Sequence, residues 1–310
     1  MLIALKGAAT LFAIGISTIM LSTLVCLGGL LRFLMPTEAL RSKVRHALAG
    51  FVELWVAINN AILAVHRKTH WDLQLPEGLD RQGCYVVSSN HQSWVDVLVL
   101  QRCFNRKLPL LRFFLKKELF WVPFMGLAWW SLDFPFMQRY SKEQVRKKPS
   151  LAGKDLENAR KACEKFRTIP VAMMSFPEGT RFSEQKRVES ASPYRNLLKP
   201  RIGGIGQVLY ALGDQLDGLV DVTIAYPNDE HKAGAAAPPT FWQLVCGQIP
   251  RIVARVELRP IPAELLGREF GRDRGFRGDL QAWMDAQWAE KDLLIDRLGP
   301  PAVVDIPAAS

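Results

Sequence analysis

Residues 84–104 read CYVVSSNHQSWVDVLVLQRCF. Cys84–Ser88 is a short apolar run, the pattern of a buried strand, and Trp94–Phe104 carries apolar residues at helical spacing. A strand entering a helix through a polar turn is the basic step of an α/β fold. The step recurs along the chain. Lys154–Arg167 places Leu156, Ala159, Cys163 and Phe166 at helical spacing, and Val171–Phe176 follows as a second short strand. Val220–Ala225 is a third. Arg251–Arg259 alternates, with Ile252, Ala254, Val256 and Leu258 on one face and Val253, Arg255, Glu257 and Arg259 on the other. Phe276, Leu280, Trp283, Met284 and Trp288 mark a terminal amphipathic helix. Interleaved strands and helices predict an α/β domain over residues 71–298. Residues 299–310 hold three prolines and read as a disordered tail.

Upstream lie two apolar segments. Gly7–Leu31 is 25 residues without a charge. As a helix it is about 37 Å long, against a bilayer core of about 30 Å. A signal peptide has an apolar region of only about 7–15 residues. Residues 1–35 are therefore read as a membrane helix, either transmembrane or re-entrant. Lys6 precedes the run and Arg32, Arg41, Lys43 and Arg45 follow it, which places the rest of the chain in the cytoplasm. Residues 36–70 read as an amphipathic helix, with Leu40, Val44, Leu48, Phe51, Trp55, Ile58, Ile62 and Val65 on one face and Asn59 elsewhere. That face has two uses: packing on the α/β domain, or lying in the membrane interface with Trp55 at headgroup level. A third apolar stretch, Leu119–Met137, carries one charge, Asp133. Pro123, Gly126, Asp133 and Pro135 interrupt it, so it reads as core plus an apolar groove rather than a span.

The 310 residues include 40 Lys+Arg and 30 Asp+Glu, a formal charge of +10, with 49% hydrophobic residues. That apolar content excludes a disordered chain. Five scattered cysteines form no C-x-x-C pair, so neither a zinc ribbon nor a disulfide framework is indicated. A basic, apolar chain suits an anionic partner, lipid or nucleic acid.

Two motifs carry chemistry. In Ser88–Asp96, SSNHQSWVD, a His ends the strand five residues before an Asp. If His91 lies in the turn and Asp96 in the first helical turn, the carboxylate holds one ring nitrogen and leaves the other as a base. The same spacing also fits a capping box between Ser93 and Asp96. In Ser175–Phe182, SFPEGTRF, a strand runs into Pro177 and Gly179 permits a tight turn. Glu178, Thr180 and Arg181 then crowd one mouth, and Arg181 suits a bidentate phosphate contact. An ordinary strand-end turn with a surface ion pair is the plainer reading. No G-x-S-x-G elbow, P-loop, G-x-G-x-x-G or H-E-x-x-H occurs.

Together, in this order, the motifs resemble the glycerolipid acyltransferase family, whose bacterial archetype is 1-acyl-glycerol-3-phosphate acyltransferase (PlsC-like). Four blocks match: NHQSWVD (Asn90–Asp96), KKELFWVPFMG through MQR (Lys116–Arg139), FPEGTR (Phe176–Arg181) and VTIAYP (Val222–Pro227). The terminal WMDAQWAEKDLL (Trp283–Leu294) resembles a branch holding YihG-type bacterial enzymes and eukaryotic lysocardiolipin-type acyltransferases. Phe182 follows Arg181 where many archetypal members have Ser. The resemblance implies an αβ domain docked to a membrane by N-terminal helices. It makes His91 the general base oriented by Asp96. Glu178, Gly179, Thr180 and Arg181 then build the acceptor-phosphate site, and Lys116 and Arg139 add positive charge to it.

The implied reaction moves a fatty acyl group from acyl-CoA or acyl-carrier protein to the sn-2 hydroxyl of lysophosphatidic acid, giving phosphatidic acid. No cofactor and no metal is implied, because the thioester is already activated. The implied partners are membrane phospholipids and the acyl donor, without nucleic acid. The implied location is a bacterial inner (cytoplasmic) membrane, with the catalytic domain facing the cytoplasm. Three alternatives remain: another lysophospholipid acceptor, a thioesterase using the same dyad, and a non-catalytic lipid-binding protein. The basic run Arg146, Lys147, Lys148 and Lys154 is the best support for binding alone, and intact His91 and Asp96 argue against it.

Overall fold

Cys84–Ser89 is buried at every position, as a strand flanked by strands and covered on both faces must be. The computed structural model describes residues 1–66, 68–137, 142–148, 154–164, 166–167, 169–227, 238–270 and 273–299. The tail read over 299–310 lies, after Gly299, outside the described residues. In chain order the strands are β1 (His70–Gln74), β2 (Cys84–Ser89), β3 (Leu111–Phe113), β4 (Leu115–Lys116), β5 (Phe136–Met137), β6 (Val171–Ser175), β7 (Gly218–Ala225) and β8 (Arg251–Arg259). The helices are α1 (Leu2–Leu34), α2 (Glu38–Ala64), α3 (Val95–Phe104), α4 (Met125–Ser131), α5 (Lys142–Lys147), α6 (Lys154–Glu164), α7 (Glu184–Glu189), α8 (Gly203–Leu212), α9 (Phe241–Val245) and α10 (Arg274–Leu298).

Six strands form one sheet in the order β1-β8-β7-β2-β6-β3, and β4 pairs with β5 separately. β7, β2, β6 and β3 run parallel, and β8 is antiparallel to β7. Alternation along the strands divides the core. Tyr85, Val87, Met174 and Val220 face Val95, Val99 and Leu100 of α3. Cys84, Val86, Met173 and Leu219 face Ile205 and Leu209 of α8 and Phe276, Leu280, Met284 and Trp288 of α10. After β2 the chain builds outward through β3 and β6, then crosses to β7 on the other side of β2. A crevice at the carboxyl ends of the strands follows from such a crossing.

α1 and α2 form an antiparallel hairpin. The domain meets α1 near both ends: Gly7 lies against Trp242 and Cys246, Gly29 against Ser131, and Arg32 pairs with Asp133 at 2.7 Å. Within the hairpin Thr10 bonds His66 at 2.8 Å, and Ser17 donates to Asn59 at 2.8 Å. Both helices are long and apolar enough to cross a membrane. The outer face of α1 remains apolar and exposed, with Leu5, Phe12, Ile19, Leu27 and Phe33 all more than half exposed.

α2 differs in register from the expected stripe. Leu48, Val52, Val56, Asn59 and Leu63 are buried, while Leu40, Phe51 and Val65 are exposed. Packing is therefore one use of the helix, and Asn59, read as polar and outward, faces Ser17. The stretch Leu119–Met137 is broken as expected. It forms a 3₁₀ turn over Lys117–Trp121, α4 and β5, with Ala128, Leu132 and Phe134 in the core. Its other half is an exposed patch beside α1: Trp121, Phe124, Leu127 and Trp130.

Candidate active site

The end of β2 is fixed by Asn90, whose side chain takes the place of a sheet rung. Its Nδ2 donates to Ile224 O at 2.8 Å, and Ile224 N donates to its Oδ1 at 2.8 Å. The next residue, His91, is thereby placed over the carboxyl ends of β2, β6 and β7. The turn after it enters α3, with Asp96 in the first helical turn.

Asp96 has no solvent exposure and four donors. Its Oδ2 accepts from His91 Nδ1 at 2.9 Å, Gln92 N at 2.6 Å and Ser93 N at 2.8 Å. Its Oδ1 accepts from the Tyr226 hydroxyl at 2.5 Å. The helix-capping reading and the dyad reading thus both hold, because one carboxylate serves both. With Oδ2 committed as an acceptor, Nδ1 carries the hydrogen and Nε2 keeps its lone pair. The His91 ring stacks on Phe176, centroids 4.0 Å apart, which leaves its side chain 14% exposed. Burial, and then the Asp96 charge, raise Tyr226 well above the usual phenol value, so it remains a donor. Tyr226 had no expected role. Its signal was its place in the VTIAYP block.

The second motif holds the first by its backbone. Glu178 is 1% exposed. Its Oε1 accepts from His91 N at 2.7 Å and its Oε2 from Leu198 N at 2.9 Å. Burial pushes its carboxyl up to about 8, against the pull of these two N–H groups. The resemblance places Glu178 among the residues that build the acceptor-phosphate site; in the structure both its oxygens face main-chain donors. It positions His91. Phe182 N donates to His91 O at 2.7 Å, so His91 is held at both its N–H and its C=O. Only the backbone of Phe182 makes this bond, which explains why a Phe serves where Ser is common.

The exposed turn is basic. Gly179 has φ +69°, a left-handed conformation suited to glycine, and a Cβ there would lie 3.3 Å from Arg201 Cδ. The Arg181 guanidinium carbon lies 5.0 Å from the centre of the Trp94 ring. Lys186 Nζ donates to Thr180 Oγ1 at 2.8 Å and to Arg181 O at 3.0 Å. Arg201 and Lys186 were not anticipated, because their contacts to the turn arise only from folding. The structure thus gathers His91, Asp96, Glu178, Gly179, Thr180 and Arg181. Lys116 is exposed on β4, with no hydrogen bond or ion pair to them among the described residues. Arg139 lies outside the described residues. Among the described residues no group of three or more His, Cys, Asp or Glu is placed to hold a metal.

The arrangement is a base of fixed tautomer beside a cationic, glycine-containing turn. It suits deprotonating a hydroxyl on an anionic substrate. The acyltransferase family pattern matches residues 70–226, from β1 to Tyr226, slightly more than half of the chain. The chain belongs to the acyltransferase family. Every residue of the dyad and of the turn lies inside the matched segment. The chain is 29% identical over 230 residues to lysocardiolipin acyltransferase 1 of Danio rerio, covering 68% of this chain and 52% of that protein. It is 24% identical over 227 residues to 1-acyl-sn-glycerol-3-phosphate acyltransferase epsilon of Mus musculus, covering 68% and 56%. It is 26% identical over 252 residues to 2-acyl-1-lysophosphatidylinositol acyltransferase of Saccharomyces cerevisiae, covering 68% and 60%. The chain thus spans just over half the length of the first two. A solved structure, the 1-acyl-sn-glycerophosphate acyltransferase PlsC of Thermotoga maritima, aligns over 92% of this chain and 98% of its own, with a TM-score of 0.47 and 15% identity.

Proposed function

We propose that the protein is a membrane-bound acyltransferase that acylates the free sn-2 hydroxyl of a lysophospholipid, with lysophosphatidic acid as acceptor and phosphatidic acid as product. The observation that carries this reading is the locked His91 tautomer, with Nε2 open beside the Arg181 turn. Neutral Nε2 accepts the proton of the acceptor hydroxyl as its oxygen attacks the thioester carbonyl. The tetrahedral adduct collapses and the C–S bond breaks. The imidazolium then returns its proton to the departing thiolate of CoA or acyl-carrier protein. Asp96 stabilises that imidazolium. Arg181, with Arg201 and Lys186 near it, holds the acceptor phosphate. The exposed apolar face of α1 and the Trp121–Trp130 patch suit a lipid surface. The rest of this reading places the enzyme on the cytoplasmic face of a bacterial inner membrane, in the YihG-type branch.

A second acceptor class has its own support. Two of the relatives are named for lysocardiolipin and lysophosphatidylinositol, and the turn carries more cationic groups than one phosphate needs. Purified protein, assayed with acyl-CoAs and acyl-carrier proteins against a panel of lysophospholipids, separates the readings. Preference for lysophosphatidic acid supports the first. Preference for a larger headgroup supports the second. Acyl release to water without transfer removes both.

A further inference from the structure

Between α2 and the amino-terminal end of β3 opens a cavity of about 160 Å³. Leu48, Leu108 and Leu132 give it apolar walls, and Arg45, Arg81 and Arg112 reach it as well. It lies at the end of the sheet opposite His91. Arg112 is 5% exposed. Its Nε donates to Leu132 O at 3.0 Å, and its guanidinium carbon lies 5.0 Å from the centre of the Phe166 ring. Among the described residues, no hydrogen bond reaches its two Nη groups. The Arg45 Nε is also buried without a hydrogen-bond partner.

The nearby acids are already engaged. Asp133 takes Arg32 at 2.7 and 3.3 Å, and Arg45 Nε stands 3.8 Å from it. Glu53 takes Arg81 at 2.5 Å and lies 3.9 Å from Arg106. Among the described residues, the cavity is thus lined by three guanidinium groups, Arg45, Arg81 and Arg112, and by one carboxylate, Glu53, which already pairs with Arg81. A buried cation with so few partners is costly unless another anion completes its shell. Several guanidinium groups lining one cavity suit the several oxygens of a phosphate.

We propose that this cavity binds a phosphate group, at a site separate from the acceptor turn. The phosphate belongs either to an anionic lipid headgroup or to free phosphate. The apolar walls and the position at the α1–α2 end of the domain accommodate the lipid.

The test uses the full chain in detergent. Thermal unfolding is followed while inorganic phosphate is titrated against sodium chloride at equal ionic strength. Phosphate should still raise the melting temperature of Arg181→Ala, in which the acceptor turn is disabled, and that remaining rise should be lost when Arg112→Met is added to Arg181→Ala. Arg45→Gln, at a half-buried position, keeps the test valid if Arg112→Met fails to fold. It should need about tenfold more phosphate, the loss expected for one charged hydrogen bond. An equal rise in Arg181→Ala with and without Arg45→Gln would show binding elsewhere or a general salt effect and overturn the proposal. So would a rise abolished by Arg181→Ala, or no rise in wild type. Dihexanoyl phosphatidylglycerol, titrated below its micelle concentration, identifies the source: action at lower concentration than inorganic phosphate marks a lipid headgroup, and equal or weaker action marks free phosphate.

Discussion

Asp96→Asn separates the two jobs of Asp96. The amide has one acceptor where the carboxylate had two. Gln92 N and Ser93 N both point at the Oδ2 position, at 2.6 and 2.8 Å, so the amide oxygen must sit there. The same oxygen then still accepts from His91 Nδ1, and the productive tautomer survives. The NH₂ group falls opposite Tyr226, whose hydroxyl must turn to accept. What is lost is the charge beneath the imidazolium. A hydrogen bond to a charged group is stronger than a neutral one by about 1–1.5 kcal/mol, which is roughly tenfold in rate. His91→Ala should cost about 10²–10⁴-fold. The variants are compared by thiol release from acyl-CoA with saturating lysophosphatidic acid, on protein of matched circular dichroism. Asp96→Asn should lose about tenfold in kcat with KM little changed, and Asp96→Ala should lose far more. If Asp96→Asn is as slow as His91→Ala, the backbone N–H groups do not set the tautomer. Wild-type turnover would reduce Asp96 to a helix cap.

Glu178 binds its proton more tightly folded, at about 8, than unfolded, near 4.5. The native state therefore holds the extra proton between these values, and stability should fall as pH rises from about 5 to 8. Glu178→Gln should flatten that slope in denaturant titrations, while breaking one of the two N–H contacts, because its NH₂ group cannot accept. Arg181→Lys keeps the charge but loses the planar fork; kcat/KM should fall on a lysophospholipid and stay unchanged on a monoacylglycerol lacking the phosphate. A Cβ on Gly126 would lie 1.8 Å from Phe120 O, so Gly126→Ala should lower the melting temperature by opening the turn before α4. Deleting residues 1–35 removes Arg32 from Asp133 and uncovers Leu48 and Leu132, so both the melting temperature and vesicle flotation should drop; a truncated chain that melts like the wild type would make the hairpin a mere tether.

The sheet was legible where one strand carried its own pattern. β2, β6, β7 and β8 fall within a few residues of their expected limits because each is apolar or strictly alternating. β1 has no expectation in the sequence analysis: HWDLQ alternates, with Trp71 and Leu73 between polar residues, but two apolar side chains in five residues are a weak strand signal. It is held by partners distant in sequence: Arg255 and Arg251 grip Asp72 and hold its carboxyl down at about 2. α8 was missed for a similar reason. Gly203, Gly204 and Gly206 argue against a helix locally, yet a Cβ at Gly206 would lie 2.3 Å from Phe270. The glycine is there for that approach, which only the folded chain reveals.

The same division runs through the site. His91 and Asp96 are five residues apart, so their pairing follows from a turn that the sequence names. Glu178 is 87 residues from His91, and the sequence shows its neighbours Gly179 and Arg181 but not its direction. Motif proximity alone places it with the phosphate turn, while its hydrogen bonds place it on the backbone of His91 and Leu198. α1 gives the limiting case. Its composition states that it avoids water, and that property is satisfied equally by lipid and by protein. Gly7, Gly29 and Arg32 settle one face, since each meets a residue of the α/β domain. The opposite face, from Leu5 to Phe33, meets no such residue. A helix with one face committed to the domain and the other left apolar suits a place where a domain surface meets lipid.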